Sequence, residues 1–227
     1  MIRTAVVIAA GGSGVRMGGD TPKQFRPLAG RPVLMHSVER FHTALPDAQI
    51  IITLPVGESA RWEELCRKYD FAIAHSITHG GATRCESVRN ALEICAGCDY
   101  IAVHDGARPL VSVELILRLL DDAVAYDAAI PVVAPVDSFR IIEGDIESDS
   151  GRCIDRSRLR AVQTPQIFAA PLLRAAYAAP AEGAFTDDAS LVERLGVAVH
   201  LSRGEPFNIK ITHQADFAIA EALLRPD

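Results

Sequence analysis

Two cations flank a glycine-rich turn early in the chain, where the sequence from Ala9 to Phe25 is AAGGSGVRMGGDTPKQF. Glycines leave backbone N–H groups free to face phosphate oxygens, and the side chains of Arg16 and Lys23 can neutralise different phosphates of one chain. Pro22 stiffens the approach to Lys23. The arrangement suits a triphosphate whose leaving pyrophosphate needs charge stabilisation.

The same segment departs from two other phosphate-binding patterns. A dinucleotide fingerprint needs a third glycine where Met17 stands, and an acid after the second strand, which Ile50 to Pro55 does not supply. A P-loop needs lysine directly after its glycines, but Asp20 follows Gly18 and Gly19. A nicotinamide-dependent dehydrogenase is therefore a disfavoured alternative.

Further polar candidates follow downstream. Asp105 and Arg108 stand in VHDGARP, where an acid beside an arginine can hold a hydroxylated phosphate or a hydrated metal ion. Thr164 precedes Pro165, which keeps Thr164 extended and presents its hydroxyl. Lys210, between two isoleucines, is a third cation that can stabilise charge on a transferring group.

Two glycines precede a predicted helix in HGGATRCESV, which begins at His79. The first N–H groups of such a helix can face a ligand, and Arg84 and Ser87 lie near its start. The segment is a second candidate for nucleotide binding.

Composition limits the partners and the compartment. The net charge of −6 argues against nucleic acid as a partner, because such proteins usually carry a basic stripe. The apolar run from Ala5 to Ala10 is too short for a membrane span or a signal peptide. Five cysteines without framework spacing suit reduced thiols, which predicts a cytoplasmic protein.

Apolar runs rich in Val and Ile alternate with amphipathic stretches, a pattern that predicts an α/β fold with a mostly parallel sheet between helices. We expect one domain over residues 1–227. Predicted strands are Thr4 to Ala10, Ile50 to Leu54, Phe71 to Ala74, Tyr100 to His104, Ala128 to Ala134 and Val197 to Leu201. Predicted helices are Val33 to His42, Glu58 to Tyr69, Thr83 to Ile94, Val113 to Ala125, Pro171 to Tyr177, Asp187 to Leu195 and Gln214 to Leu224.

Residues 135–157 break this alternation. Two strand-like pieces, Phe139 to Ile142 and Arg152 to Asp155, surround an acidic turn and predict a protruding β-hairpin, here called the arm. An isolated hairpin is marginally stable in water, so we expect the arm to pack on a second copy of the protein. A mobile solvated loop is the alternative.

Taken together, several segments carry a family resemblance. The opening loop with PKQF resembles the nucleotide loop of sugar-phosphate nucleotidylyltransferases, whose fold is Rossmann-like. Six further segments extend the resemblance: GGATRCESV, VHDGARP, IDRSRL, QTPQIF, FTDDAS and NIKIT. With them, the chain resembles the 2-C-methyl-D-erythritol 4-phosphate cytidylyltransferase family over residues 6 to 212.

The resemblance implies transfer of CMP from CTP to 2-C-methyl-D-erythritol 4-phosphate, releasing pyrophosphate in non-mevalonate isoprenoid biosynthesis. It implies a homodimer joined through the arm, and Mg²⁺ or another divalent cation without a direct protein ligand, Asp105 being the possible exception. Ribitol 5-phosphate cytidylyltransferase is the nearest alternative, and a non-catalytic nucleotide-sensing protein is a third.

The resemblance also implies roles for individual residues. Lys23 and Lys210 would stabilise the transition state as catalytic groups together with Arg16, which contacts the phosphate chain. The nucleotide-binding set would be Ala10, Gly11, Gly12, Ser13, Gly14, Gly80, Gly81, Arg84, Ser87 and Asp105. The substrate-binding set would be Asp105, Gly106, Arg108, Ser138, Arg156 and Thr164, with Thr164 on the substrate phosphate and Ser138 where the family usually has Thr. Ala82 stands where the family often has Asp.

Overall fold

A computed structural model describes residues 2–12, 21–145, 147, 149–180, 185 and 187–225. Its strands are β1 Thr4–Ala9, β2 Pro27–Leu28, β3 Arg31–Pro32, β4 Gln49–Leu54, β5 Ser76–His79, β6 Tyr100–Asp105, β7 Ala128–Val133, β8 Arg140–Ile142, β9 Gly151–Cys153, β10 Ala161–Val162, β11 Gln166–Ala169 and β12 His200–Arg203. Its helices are α1 Val33–Ala44, α2 Ser59–Lys68, α3 Arg84–Ile94, α4 Val113–Tyr126, α5 Ala170–Ala178, α6 Ala189–Glu193 and α7 Gln214–Leu224.

The main sheet is mostly parallel, as the alternation of apolar and amphipathic segments predicts. β5, β4, β1 and β6 lie side by side in parallel, and β7 pairs in parallel with β12. Strand β11 lies antiparallel between β6 and β7 and pairs with the first residues of β7. Strand β10 also pairs antiparallel with β7, at its last residues. In this register Val7 pairs with Ile51 on one side and with Val103 on the other.

Helices cover both faces of the sheet, because its central strands are apolar on both sides. Val6 and Ile8 point into a core with α1, α2 and α4, whereas Ala5 and Val7 point into a second core with α3, α5 and α6. The result is the expected three-layer arrangement. No helix in the described ranges is long and apolar enough to cross a membrane.

Three predicted elements are displaced in the structure. The strand predicted at Phe71 to Ala74 is wrong: Phe71 packs edge-on to the ring of Trp62, 5.8 Å between centroids, and pairing with β4 begins only at Ser76. The last predicted strand begins at His200 instead of Val197. The helix predicted from Asp187 to Leu195 is shortened to α6: its N-cap is Asp188, and Asp187 lies before it, where its carboxylate accepts a hydrogen bond from the Ser190 N–H.

The arm is a hairpin of β8 and β9, paired in antiparallel fashion from Arg140 with Cys153 to Ile142 with Gly151. It belongs to its own two-stranded sheet and leaves the main sheet after β7. Large apolar side chains remain exposed on and beside it: Val136 is 84% exposed and Phe139 43%. The predicted hairpin is thus confirmed, with an apolar surface that the described part of the chain leaves exposed.

Candidate active site

The loops that follow β1, β5 and β6 meet at one edge of the sheet, because the carboxyl ends of parallel strands share an edge. A cavity of about 840 Å³ lies there, within the size range of small-molecule sites. The cavity is lined by Ala10, Gly11, Gly12, Lys23, Gly81, Arg84, Ser87, Asp105, Gly106 and Lys210, together with Ala9, Gln24, Ala82, Thr83, Ala107, Thr212 and His213.

Glycines allow two of these loops to touch through their backbones. A Cβ atom at Gly11 would lie 2.9 Å from Ser87 Oγ, and one at Gly80 would lie 2.9 Å from the Gly11 Cα. Ser87 is buried, donates to the Thr83 carbonyl at 2.9 Å and accepts from the Gly81 N–H at 3.0 Å. Because a hydroxyl has two lone pairs, Ser87 keeps one for a ligand that donates a hydrogen bond.

The side chain of Gln24 joins the glycine-rich turn to the segment that carries Lys23. Its amide donates to the Ala10 carbonyl at 2.8 Å and to the Gly12 carbonyl at 3.3 Å. Lys23 Nζ donates to the Ile211 carbonyl at 3.0 Å, which brings Lys23 beside the segment of Lys210. Two cations far apart in sequence therefore share one wall of the cavity.

Three cations surround the carboxylate of Asp105 at the end of β6. Lys210 Nζ lies 2.9 Å from Oδ2, Arg108 Nε lies 3.5 Å from Oδ2, and Arg84 Nε lies 3.2 Å from Oδ1. Burial favours the neutral acid, but the three cations outweigh it and hold the pKa of Asp105 well below its usual range. The carboxylate is therefore ionised at neutral pH.

Arg84 has a second anionic partner behind the cavity, the fully buried Asp188 at the start of α6. Arg84 Nη2 lies 2.8 Å from Asp188 Oδ2, and the Tyr177 hydroxyl donates to Asp188 Oδ1 at 2.5 Å. Burial opposes the charge on Arg84, but Asp188 and Asp105 more than offset it and raise its pKa. Burial and the Asp188 charge also raise the pKa of Tyr177, so its hydroxyl stays protonated as the donor.

A smaller cavity of about 250 Å³ adjoins the first and shares Arg84, Asp105 and Lys210 with it. Its other lining residues are Arg108, Val162, Gln163, Thr164, Gln166 and Asp187. Thr164 reaches this edge because β11 runs antiparallel and begins just after it. The site can therefore hold two ligands that meet at the shared cations.

Most of the described residues predicted for the site lie together here. Ser13, Gly14 and Arg16 lie outside the described residues. Among the described residues, three of those predicted line neither cavity. Gly80 lies behind the wall of the larger one, against Gly11. Ser138 and Arg156 are exposed on the arm, where Arg156 donates to the Val136 carbonyl.

Sequence reasoning missed three residues that shape the site. Gln24 belongs to the PKQF motif, which was a usable signal, and Asp188 lies in the acidic pair after Phe185. The side-chain amide of the fully buried Asn208 donates to the Thr164 main-chain carbonyl at 2.9 Å, and the main-chain carbonyl of Asn208 accepts from the Arg108 guanidinium at 2.8 Å. No pattern in the sequence indicates these distant contacts.

The fold and the site define an α/β protein of the nucleotide-binding type, whose cations converge where two cavities meet. The family model described as "IspD: 2-C-methyl-D-erythritol 4-phosphate cytidylyltransferase" matches residues 4–226. A protein named 2-C-methyl-D-erythritol 4-phosphate cytidylyltransferase from Bacteroides fragilis is 44% identical, over 99% of this chain and 100% of the relative. A protein of the same name from Porphyromonas gingivalis is 46% identical, over 96% of both chains.

Solved structures agree with this result. The crystal structure of the same-named enzyme from Thermus thermophilus has a TM-score of 0.77 at 36% identity and covers 98% of both chains. The structure of 4-diphosphocytidyl-2C-methyl-D-erythritol synthase from Anaerococcus prevotii has a TM-score of 0.81 at 27% identity and covers 99% of both chains. The chain belongs to the IspD family of cytidylyltransferases.

The Asp188–Arg84 pair generates a prediction about stability. Asp188→Asn should lower the free energy of unfolding by about 3 kcal/mol, because the Arg84 guanidinium would lose its fully buried partner. Urea denaturation followed by fluorescence of the single, buried Trp62 measures this change. Asp121→Asn on the exposed side of α4 is the matched control and should change the value by less than about 0.5 kcal/mol. Equal stability of the two variants would contradict the importance of the pair.

Proposed function

We propose that this protein transfers CMP from CTP to 2-C-methyl-D-erythritol 4-phosphate and releases pyrophosphate, in non-mevalonate isoprenoid biosynthesis. The observation that carries the proposal is the pair of adjoining cavities that share Arg84, Asp105 and Lys210. The larger has room for a nucleotide, and the smaller suits a short polyol phosphate. Membership of the IspD family supplies the identity of both substrates.

The chemistry needs alignment and charge more than proton transfer. A phosphate oxygen of the polyol phosphate attacks the α-phosphorus of CTP, a new P–O bond forms, and the bond to the leaving pyrophosphate breaks. The attacking phosphate has a second pKa near 6 and is largely dianionic at neutral pH, so no general base is required. The enzyme must bring two polyanions together and neutralise charge on the transferring group.

We assign that neutralisation to Lys23 and Lys210, which approach the larger cavity from one wall. Lys210 lies at the boundary of the two cavities, where the transferring phosphate would sit, and Asp105 holds its ammonium there before substrates bind. Arg16, outside the described residues, is assigned to the phosphate chain on the family resemblance alone.

The base would lie against the turn formed by Gly80, Gly81 and Ser87. The lone pair that Ser87 keeps can accept from the cytosine amino group, which a uracil base lacks. Ala82 cannot contribute a polar side-chain contact to the base, because it carries only a methyl group. We therefore assign the choice of CTP to Ser87 and to the backbone around it.

Magnesium fits this site as an ion carried by the CTP phosphates. Within the described ranges no cluster of three His, Cys, Asp or Glu could hold a metal ion. Asp105 is the carboxylate that would face such an ion, through water, since both its oxygens are already bound by cations. Mg²⁺ usually keeps several waters and takes phosphate oxygens, and when bound it would add positive charge to the transferring group.

We further propose that two copies associate through their arms in the cytoplasm. The exposed apolar side chains on and beside the arm, Val136, Phe139, Ile141 and Ile142, are the surface that a second copy would cover. An arm reaching the partner's smaller cavity would deliver Arg156 and Ser138 to the substrate phosphate. All five cysteines are free thiols, which suits the reducing cytoplasm.

The substrate pair can be tested by measuring pyrophosphate release with CTP and Mg²⁺. We expect turnover with 2-C-methyl-D-erythritol 4-phosphate and little with ribitol 5-phosphate, because the smaller cavity of about 250 Å³ suits the shorter polyol. UTP in place of CTP should be used poorly, since its base cannot donate to Ser87. Turnover with ribitol 5-phosphate alone would keep the chemistry and reject the substrate. Release with neither acceptor would reject the transfer itself.

Shared sites can be tested by mixing inactive variants. Arg156→Ala and Arg108→Ala should each be nearly inactive alone, because each would remove a cation from the substrate phosphate. Subunits exchanged in equal amounts should regain about a quarter of wild-type activity, since half of the dimers would hold one intact site. Wild-type protein exchanged with itself is the control for the procedure. Mixtures that stay inactive would contradict delivery of Arg156 across the interface.

A further inference from the structure

The segment from Thr21 to Phe25 brings Lys23 to the larger cavity, and its backbone has little freedom of its own. Pro22 has a fixed φ and no N–H group. The Phe25 N–H donates to the Pro22 carbonyl at 3.0 Å, which closes a short 3₁₀ turn over Lys23–Phe25. A contact that holds Thr21 and Phe25 therefore also sets the direction in which Lys23 leaves the backbone.

Arg61, in the first turn of α2, contacts both ends of this segment. Its Nη2 donates to the Thr21 hydroxyl at 2.9 Å, and its guanidinium carbon lies over the Phe25 ring, 5.8 Å from the centroid. A planar guanidinium can make both contacts, because it donates hydrogen bonds in its plane and carries a charge that aromatic faces attract. Glu58, one helical turn earlier, lies 3.7 Å from Arg61 Nη1. One side chain therefore bridges the two residues that flank the turn of Lys23.

Trp62, the next residue of α2, supports Phe25 from the core. Its fully buried ring is nearly parallel to that of Phe25, with 6.1 Å between the centroids. The indole N–H donates to His75 Nε2 at 2.8 Å, and His75 Nδ1 in turn donates to the Ile73 carbonyl at 2.7 Å. These bonds fix the plane of the indole. Phe25 thus packs on a ring whose orientation is set by α2 and the chain before β5.

Arg61 does not belong to the walls of the site, since the described residues that line the two cavities do not include it. We propose that Arg61 is a positioning residue, which presents Lys23 to the transferring phosphate by holding Thr21 and Phe25 on either side of it. This inference rests on the proposed function and deepens it, because charge neutralisation by Lys23 requires its ammonium at a defined place. A displacement of about 1 Å can reduce the rate considerably.

Kinetics of pyrophosphate release test the role. Arg61→Ala should lower kcat about 10-fold and change KM for CTP by less than about 2-fold, because a misdirected ammonium affects the transition state more than the bound nucleotide. Arg67→Ala, exposed on the same helix, is the matched control and should behave as wild type. A kcat for Arg61→Ala within about 2-fold of the wild type would overturn the proposal.

A double variant separates positioning from an independent effect. In Lys23→Ala the ammonium is absent, so adding Arg61→Ala should lower the residual kcat by less than about 2-fold. Such non-additivity is expected only if Arg61 acts through Lys23. An equal loss in both backgrounds would show that Arg61 acts on the nucleotide or on stability by itself, and it would overturn the positioning role.

Hydrogen exchange tests the contact on the free protein, without substrates. The N–H groups of Phe25 and Arg26 donate to the Pro22 and Lys23 carbonyls, so their exchange reports on the turn. Arg61→Ala should speed their exchange about 10-fold. Thr21→Val removes only the hydroxyl that Arg61 binds, and it should speed the same exchange several-fold even if Arg61→Ala fails to fold. Unchanged exchange in a folded variant would overturn the proposal.

Failure of the proposed function is recognised in a different measurement. Wild-type protein that releases no pyrophosphate from CTP with 2-C-methyl-D-erythritol 4-phosphate would reject the transfer, and with it any role of Arg61 in that reaction. An active wild type beside an equally active Arg61→Ala would reject the positioning role alone.

Discussion

Like charges repel strongly when they are removed from water, and the candidate site gathers three cations within 3.5 Å of one carboxylate. Asp105 makes this gathering possible, because it lies between Lys210, Arg108 and Arg84 and remains ionised in their company. Asp188 balances Arg84 from behind, so the cluster keeps a moderate excess of positive charge. We propose that phosphate groups take over part of the role of Asp105 when the substrates bind.

The sheet supplies the rigidity that such a cluster needs. Asp105 ends β6, paired on one side with β1 and on the other with β11, so its position is held by main-chain hydrogen bonds. Its own N–H is taken by Thr164, and Thr164 is in turn bound to His104. Glycines at 11 and 80 let the loops that follow β1 and β5 approach until their backbones touch. We propose that buried neutral contacts orient the ligands, whereas the cations that line the cavities neutralise their charge.

Much of this arrangement was predictable, because it follows from patterns local in sequence. Apolar strands alternating with amphipathic helices predict the parallel sheet, and its carboxyl edge collects the glycine turn and Asp105. The antiparallel β11 was not predictable, since four residues carry no period. Phe71 looked like part of a strand because it is apolar, but it packs on Trp62. The ion pair of Arg84 with Asp188 joins residues about a hundred positions apart. Neither composition nor the spacing of residues indicates such a contact, so it could not be predicted.

The central role that we propose for the cations at this edge is to stabilise charge on the transferring phosphate. Measuring kcat and KM for CTP in Lys210→Ala, beside Lys68→Ala on the exposed side of α2, tests that claim most directly. We expect kcat of Lys210→Ala to fall by about 10²–10³ with an unchanged circular dichroism spectrum, while Lys68→Ala behaves as wild type. A kcat for Lys210→Ala within a few-fold of the wild type would contradict that role.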